Sequence, residues 1–231
     1  MQKGDVKILS EVLEVFRLCP SFSHLGENEL REIAVLATPC HFKKGQFIFH
    51  EGDPSNLFYV VQRGRVKLFR TRSGKNFIAS VVSRGYTLNA SALFERQAYF
   101  LSAQAMDDVT LLRVRGEDYR SFVKKYPSIA MKIISILTKR MESDLDRIVD
   151  VVGERVDQRL HNVLLMLFAR FGTTLLFTCE ELADLAGTTT ETTIRALGKL
   201  KDLGILSSTR GKITILDQNK LRDLSQTSYQ L

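Results

Sequence analysis

Residues 178–216 constrain this chain more than any other stretch, because four local signals follow one another there in a fixed order. Leu182, Ala183 and Ala186 fall at helical spacing and predict a short helix with one small, apolar face. Gly187 follows, where a tight turn needs a backbone that a side chain would obstruct. The Thr188–Thr190 run offers hydroxyls to the unpaired N–H groups that open a second helix. Leu197, Leu200 and Leu203 continue that helix, and Gly204 stops it. Two short apolar segments, 205–208 and 212–216, then flank Thr209-Arg210-Gly211 and predict a β-hairpin.

Helix, turn, helix and hairpin make a winged helix-turn-helix, a unit that lays its second helix in the major groove of DNA. Glu191 and Arg195 are four apart and share a helical face. A guanidinium suits the O6/N7 edge of guanine, and a carboxylate accepts from cytosine N4. Base contacts are therefore expected from Thr190, Glu191 and Arg195. Thr189, Thr192 and Ile194 fill out the same surface. Phosphate contacts are expected from Thr178, Lys212 and the wing around Arg210. Two blander readings compete. Thr188-x-x-Glu191 also spells a capping box, and Glu191 with Arg195 also spells a solvated ion pair. The glycine corner, the small residues before it and the wing after it favour double-stranded DNA as the partner.

Charge adds little to this. The formal net charge is +7, but residues 1–150 hold 23 basic and 17 acidic side chains, against 10 and 9 in residues 151–231. The excess is not centred on the helix-turn-helix. With 231 residues, 44% of them hydrophobic and 26% charged, the chain can build one large or two ordinary domains. No apolar run approaches a membrane span, the first residues carry no secretory pattern, and Cys19, Cys40 and Cys179 are widely separated. A cytoplasmic protein with reduced thiols and no membrane partner is expected. No paired carboxylates, nucleophile–base set, glycine-rich phosphate loop or metal motif appears, so no enzyme is expected.

Along the rest of the chain the hydrophobic period changes twice. Residues 8–18 and 27–37 read as amphipathic helices, the first stopped by Pro20. From about Thr38, short apolar runs alternate with glycines at 45, 52, 64, 74 and 85, which predicts an antiparallel sandwich or barrel. A small helix near 90–94 interrupts the runs, and a helix over 116–126 closes them. Pro127 then opens the longest helical run, to about Asp150. Ile134, Leu137, Met141, Leu145, Ile148 and Val152 recur there at spacings of 3, 4, 4, 3 and 4. That stripe predicts a homodimer seam, with packing inside one chain as the alternative. Val151-Val152-Gly153 reads as a hinge, and a helix over 154–171 leads into the DNA-binding unit.

Three blocks together resemble the cyclic-AMP receptor protein/FNR superfamily of bacterial transcription regulators. They are Lys44–Leu68, the long helix after Pro127, and Glu191-Thr-Thr-Ile-Arg195 with its wing. The resemblance implies an α+β fold: a cyclic-nucleotide-binding-type antiparallel β-roll, a long dimerisation helix and a C-terminal winged helix-turn-helix. It implies domains at 1–126, 127–153 and 154–231, a homodimer on an inverted-repeat site, and RNA polymerase as a further partner. Members with Glu-x-x-x-Arg at this place read a TGA-containing half-site, a role carried over to Glu191 and Arg195. Ile194 departs from the usual Gly or Ser, and its methyls suit a thymine methyl.

The departures bear on the effector. Cyclic-AMP-binding members carry Gly-Glu-Leu after the late roll glycine, then Arg-Ser-Ala; the Glu holds the ribose and the Arg the phosphate. Here Asn89 and Ala90 replace Gly and Glu, and Leu101-Ser102-Ala103 lacks the arginine. The Thr-Ser pair that meets adenine corresponds to Asp144-Leu145. A phosphate buried without a positive partner is heavily penalised, so cyclic AMP and cyclic GMP are not expected as effectors. The expected effector pocket draws Leu88, Asn89, Ala90, Tyr99, Leu101 and Ser102 from the roll. It draws Leu137, Met141, Asp144 and Leu145 from the long helix.

Cys19 and Cys40 stand alone, so the four-cysteine iron–sulfur ligation of the oxygen-sensing branch is not expected. A redox role for Cys179, beside the first DNA-binding helix, stays open. So does a haem-based nitric-oxide sensor, with His24, His41, His50, Cys40 and Met141 as candidate axial ligands. A small apolar or aromatic ligand is a further option, as is a regulator that needs none. Two competing classes are the regulatory roll of an enzyme or transporter and an architectural DNA-bending protein.

Overall fold

The computed structural model describes residues 3–88, 94 and 98–226 of the chain. They form two compact units: Met1–Arg70 with Ala79–Met141, and Thr71–Ile78 with Glu142–Leu231.

The first unit opens with helices α1 (Lys3–Leu18) and α2 (Glu27–Ala34). Strands β1 (Thr38–Phe42), β2 (Phe47–Phe49), β3 (Leu57–Arg63), β4 (Val66–Arg72), β5 (Lys75–Val82), β6 (Thr87–Leu88), β7 (Ser102–Ala105) and β8 (Val109–Arg115) follow. They make two four-stranded antiparallel sheets, ordered β1-β8-β3-β6 and β2-β7-β4-β5. Helix α3 (Gly116–Lys125) and the first half of α4 (Pro127–Gly153) complete the unit.

Strand β3 explains the architecture. Its residues 58 to 61 are buried without a break, so both of its faces are covered. Successive side chains point to opposite faces. Phe58 and Val60, with Leu112 and Val114 of β8, pack under α1, α2, α3 and the start of α4. Tyr59 and Val61, with Val109 and Leu111, fill the inside of the roll. The helical side is organised around Phe22, whose ring meets Phe16, Phe58, Tyr119 and Phe122 at centroid distances of 5.5 to 6.4 Å. The turn from β3 to β4 depends on Gly64: φ is +84°, and a Cβ there would stand 2.8 Å from the Asp108 carbonyl oxygen.

The second unit contains the remainder of α4, then α5 (Val156–Phe171), β9 (Thr174–Leu175), α6 (Cys179–Ala186), α7 (Thr190–Asp202), β10 (Leu206–Thr209), β11 (Lys212–Ile215) and α8 (Gln218–Gln226). The strands form an antiparallel sheet in the order β10-β11-β9. Leu160, Leu164 and Leu167 of α5 are buried, as are Leu175, Phe177 and Leu221. The segment 71–78 counts with this unit through Arg147, which donates to the carbonyls of Ile78 (3.3 Å) and Leu185 (3.1 Å) and lies over the Phe77 ring.

Four elements escape a periodicity reading. β6 and β9 have two residues each, too few for any period to register. β1 holds Pro39 and buries none of its residues fully, and it is placed only by pairing with β8. α8 is strongly polar and is anchored by the buried Leu221. The small helix expected near 90–94 lies outside the described residues apart from Phe94.

Candidate nucleic-acid interface

Helix α6 starts at Thr178, whose hydroxyl accepts from Glu181 N (3.1 Å) while the Glu181 carboxylate accepts from Thr178 N (2.8 Å). This reciprocal box satisfies two otherwise unpaired donors. Thr178 is exposed, but its hydroxyl is engaged in the cap. At the other end Gly187 sits in the left-handed region (φ 62°, ψ 47°), and its N–H returns to Ala183 O.

The last carbonyls of α6 are taken by arginines from outside the motif. Arg159 on α5 donates to Ala186 O (3.1 Å), Gly187 O (3.2 Å) and Glu154 O (3.1 Å). Together with Arg147 on Leu185 O, it fixes the corner from which α7 leaves. Nothing in the local sequence marks these two residues. Each is one arginine in a helical pattern, and only tertiary placement brings it to the corner.

Helix α7 is capped by Thr189, not Thr188: the Thr189 hydroxyl accepts from Thr192 N (3.2 Å). Thr193, Ala196, Leu197 and Leu200 are buried at positions i, i+3, i+4 and i+7, which fixes the rotation of the helix. The opposite face therefore carries Glu191, Ile194 and Arg195, all exposed, with the Ile194 side chain 55% accessible. Thr190 and Thr192 are half-buried beside them.

Glu191 and Arg195 share that face without pairing: among the described residues no ion pair joins them. The Glu191 carboxyl is held below the usual range by its own backbone N–H and then by Thr189, so it is an anion at neutral pH. Arg195 makes one long contact, 3.4 Å to Thr192 Oγ1. An acceptor and a forked donor thus stand side by side in solvent at the start of a helix. Arg210 and Lys212 are exposed on the hairpin, on either side of Gly211 (φ 73°).

The β-roll holds a cavity of about 160 Å³ within the first unit, lined by residues of the roll, of α4 and of the loop after α1. Of the residues expected to meet an effector, Leu101 and Leu137 line it. Leu88 and Tyr99 are sunk in the roll core, and the Tyr99 hydroxyl donates to Leu57 O (3.0 Å). Ser102 Oγ accepts from Glu51 N (3.0 Å). Met141, Asp144 and Leu145 are exposed, and the latter two belong to the second unit. Asn89 and Ala90 lie outside the described residues. Sequence reasoning missed Ser21, Phe49, Leu68, Phe100, Ile133 and Arg140, which also line the space.

The candidate haem ligands are dispersed. His24 bonds Ser128 (3.0 Å), His41 bonds Thr110 (3.1 Å), His50 stacks on Phe47, and Cys40 Sγ contacts Leu111 O. Neither these four nor Met141 lines the cavity, so the residues present do not fit a haem there.

The stripe expected to pair two copies lies open to solvent in one chain. Ile134, Leu137, Met141, Leu145 and Ile148 are all exposed, Met141 at 72% and Leu145 at 61%. The side chain of Val152 lies outside the described set.

An antiparallel roll and a helix-turn-helix with a β-hairpin, in one chain and in this order, define a class of DNA-binding regulator. Residues 39–126 match the cyclic nucleotide-binding domain, and residues 158–224 match the Crp-like helix-turn-helix domain. A cyclic AMP receptor protein of Thermus thermophilus is 29% identical over 188 residues, covering 80% of this chain and 86% of that protein. An anaerobic regulatory protein of Pasteurella multocida is 25% identical over 238 residues, covering 99% and 86%. The structure of FixK2 from Bradyrhizobium japonicum shares the fold, with a TM-score of 0.74 at 22% identity, over 81% of this chain and 96% of that one. The chain belongs to the cyclic-AMP receptor protein/FNR family of transcription regulators and carries that family's helix-turn-helix DNA-binding domain. No helix among the described residues is long and apolar enough to cross a membrane.

Proposed function

We propose that this protein is a sequence-specific transcription regulator that binds an inverted-repeat DNA site as a homodimer. On this reading α7 of each copy enters a major groove, Arg195 takes a guanine, Glu191 accepts from a cytosine and Ile194 meets a thymine methyl. Thr189, Thr190 and Thr192 flank them, and Thr178, Arg210 and Lys212 hold the phosphates. Ile134, Leu137, Met141, Leu145, Ile148 and Val152 form the seam between copies. The domains divide as 1–126, 127–153 and 154–231. An effector other than a cyclic nucleotide acts through the roll, and RNA polymerase is the downstream partner.

The observation that carries this reading is the outward face of α7. A carboxylate and a guanidinium stand one turn apart, exposed and not paired with each other. The exposed stripe of α4 supports the dimer, because an apolar seam of that length is costly to leave in water. The test is selection of bound duplexes from a random pool at fixed salt, with the mass of the free protein measured in parallel. A palindromic consensus with TGA-type half-sites and a dimeric mass is the expected result. A monomeric protein that enriches no symmetric sequence overturns the proposal.

A further inference from the structure

Three of the four histidines, His24, His41 and His50, belong to the first unit. The fourth, His161, stands on α5 and is only 8% exposed. Its ring donates to the Leu224 carbonyl of α8, while Nδ1 is buried without a hydrogen-bond partner among the described residues. That pattern selects the neutral tautomer with its proton on Nε2. A second proton, on Nδ1, would make a buried cationic donor with no acceptor, which is strongly unfavourable. Proton uptake by this ring therefore requires the packing around it to change.

The carboxylate that acts on the ring is already engaged. Asp157 lies four residues earlier on α5 and so shares a helical face with His161. It accepts from Lys199 Nζ of α7 at 3.1 Å, which ties α5 to the helix that presents Glu191 and Arg195. Burial holds the ring's pKa below the ordinary histidine value; Asp157 opposes that shift and Lys199 adds to it. From α8 the ring meets a backbone carbonyl, and the charged Arg222 and Asp223 of that helix are exposed. A cationic His161 would compete with Lys199 for the one carboxylate and repel its ammonium.

We propose that protonation of His161 is a switch on DNA recognition: the cationic ring takes Asp157 from Lys199, the tie between α5 and α7 is lost, and specific DNA binding weakens in mild acid. This rests on the reading of α7 as the DNA-facing helix, and it puts a control inside the DNA-binding unit, separate from any event in the roll. The direction follows from linkage. The form that binds DNA keeps the ring buried and neutral, whereas the loosened form takes up a proton close to the ordinary value of about 6.5. Affinity is therefore full above that pH and falls as pH drops through it, by about tenfold per pH unit at most for one proton.

The test uses the full chain and fluorescence anisotropy with the selected palindromic duplex and a scrambled one, from pH 7.5 to 5.5 at constant ionic strength. The ratio of the two affinities cancels the charge that other histidines add in acid. It is expected to fall about three- to tenfold over that range. His161→Gln keeps a donor for the Leu224 carbonyl but does not titrate, so its ratio should stay flat. Asp157→Asn removes the contested carboxylate, so its ratio should already be low at pH 7.5 and change little with pH. A side chain with a packing role alone would lower affinity on substitution and leave the pH dependence in place. If either variant fails to fold, the His161 ring resonances of the unaltered protein decide: the ring should titrate at a lower pH in the DNA complex than in the free protein. The inference is overturned if the ratio holds steady in the unaltered protein, or if His161→Gln retains the whole dependence. It is equally overturned if Asp157→Asn behaves as the unaltered chain does, or if the ring titrates alike with and without DNA. Palindrome binding with a pH-independent ratio removes this inference alone, whereas failure to bind the palindrome at any pH removes the regulator reading and this inference with it.

Discussion

Two guanidiniums, of Arg147 and Arg159, hold the corner from which the DNA-facing helix leaves. Arg159 serves two carbonyls at the end of α6, Ala186 O and Gly187 O, where the helix itself leaves them unpaired, and a third, Glu154 O, just before its own helix. Arg159→Met keeps the aliphatic stem and removes the donors. We expect it to cost on the order of 2 kcal/mol of stability in the C-terminal unit. DNA affinity should fall with it while helical content is kept, as chemical denaturation and a shift assay would report. Arg195 works differently, because its guanidinium is exposed and lightly engaged. Arg195→Ala should leave stability alone, weaken specific binding by about 1–3 kcal/mol and relax discrimination at one guanine. Equal loss on every duplex in a competition series would make Arg195 a phosphate contact. Sequence spacing alone placed Glu191 and Arg195 on one face. It could not say that they stand apart, because that depends on rotamers chosen by neighbours, whereas the cap at Thr178 was spelled by Thr178-x-x-Glu181 and went unread.

Elements raise questions of what covers them. Helix α4 runs 27 residues, roughly 40 Å at the helical rise, with an exposed apolar stripe. Leu145→Glu places a charge in the middle of that stripe, where water covers it in one copy and a partner would bury it unpaired. The expected outcome is a folded monomer in analytical ultracentrifugation, with the melting behaviour of each unit otherwise retained. The packing of α5 against α8 has its own titration. His161 is buried, with a backbone hydrogen bond to Leu224, and desolvation drives its pKa below the ordinary value. Asp157 opposes that shift and Lys199 adds to it. The unfolded chain therefore takes up the proton first as pH falls. The stability of this unit is full above about pH 6.5 and declines below it. His161→Gln should flatten that dependence in denaturation curves recorded from pH 7.5 down to 5, at some cost to packing. The sequence marked a helix over 154–171, but α8 was invisible to it, since a polar segment becomes a helix here by docking one buried leucine.

For the whole molecule, the useful quantity is the distance between two copies of α7. Half-sites one helical turn apart face the same side of the duplex. Inserting about 5 base pairs between them turns one half-site to the far side. A dimer should then bind no better than to a single half-site, and a shift assay across a spacer series measures this directly. The order of parts was legible in the chain itself. Glycines at 45, 52, 64, 74 and 85 with short apolar runs between them predict an antiparallel sandwich or barrel, which the family resemblance narrows to a roll, and a glycine corner between two short helices before a hairpin predicts the winged unit. Those are local demands: backbone angles and hydrophobic period are set by neighbours in sequence, so sequence determined the fold, the outward pair on α7 and the apolar stripe on α4. Tertiary structure alone decided which residues close the roll cavity. Ser21, Phe49, Leu68 and Arg140 come from segments up to 119 positions apart, and nothing local draws them together. It also decided that arginines from outside the motif brace the corner, because carbonyls left over at a helix end accept from any donor that packing brings within reach.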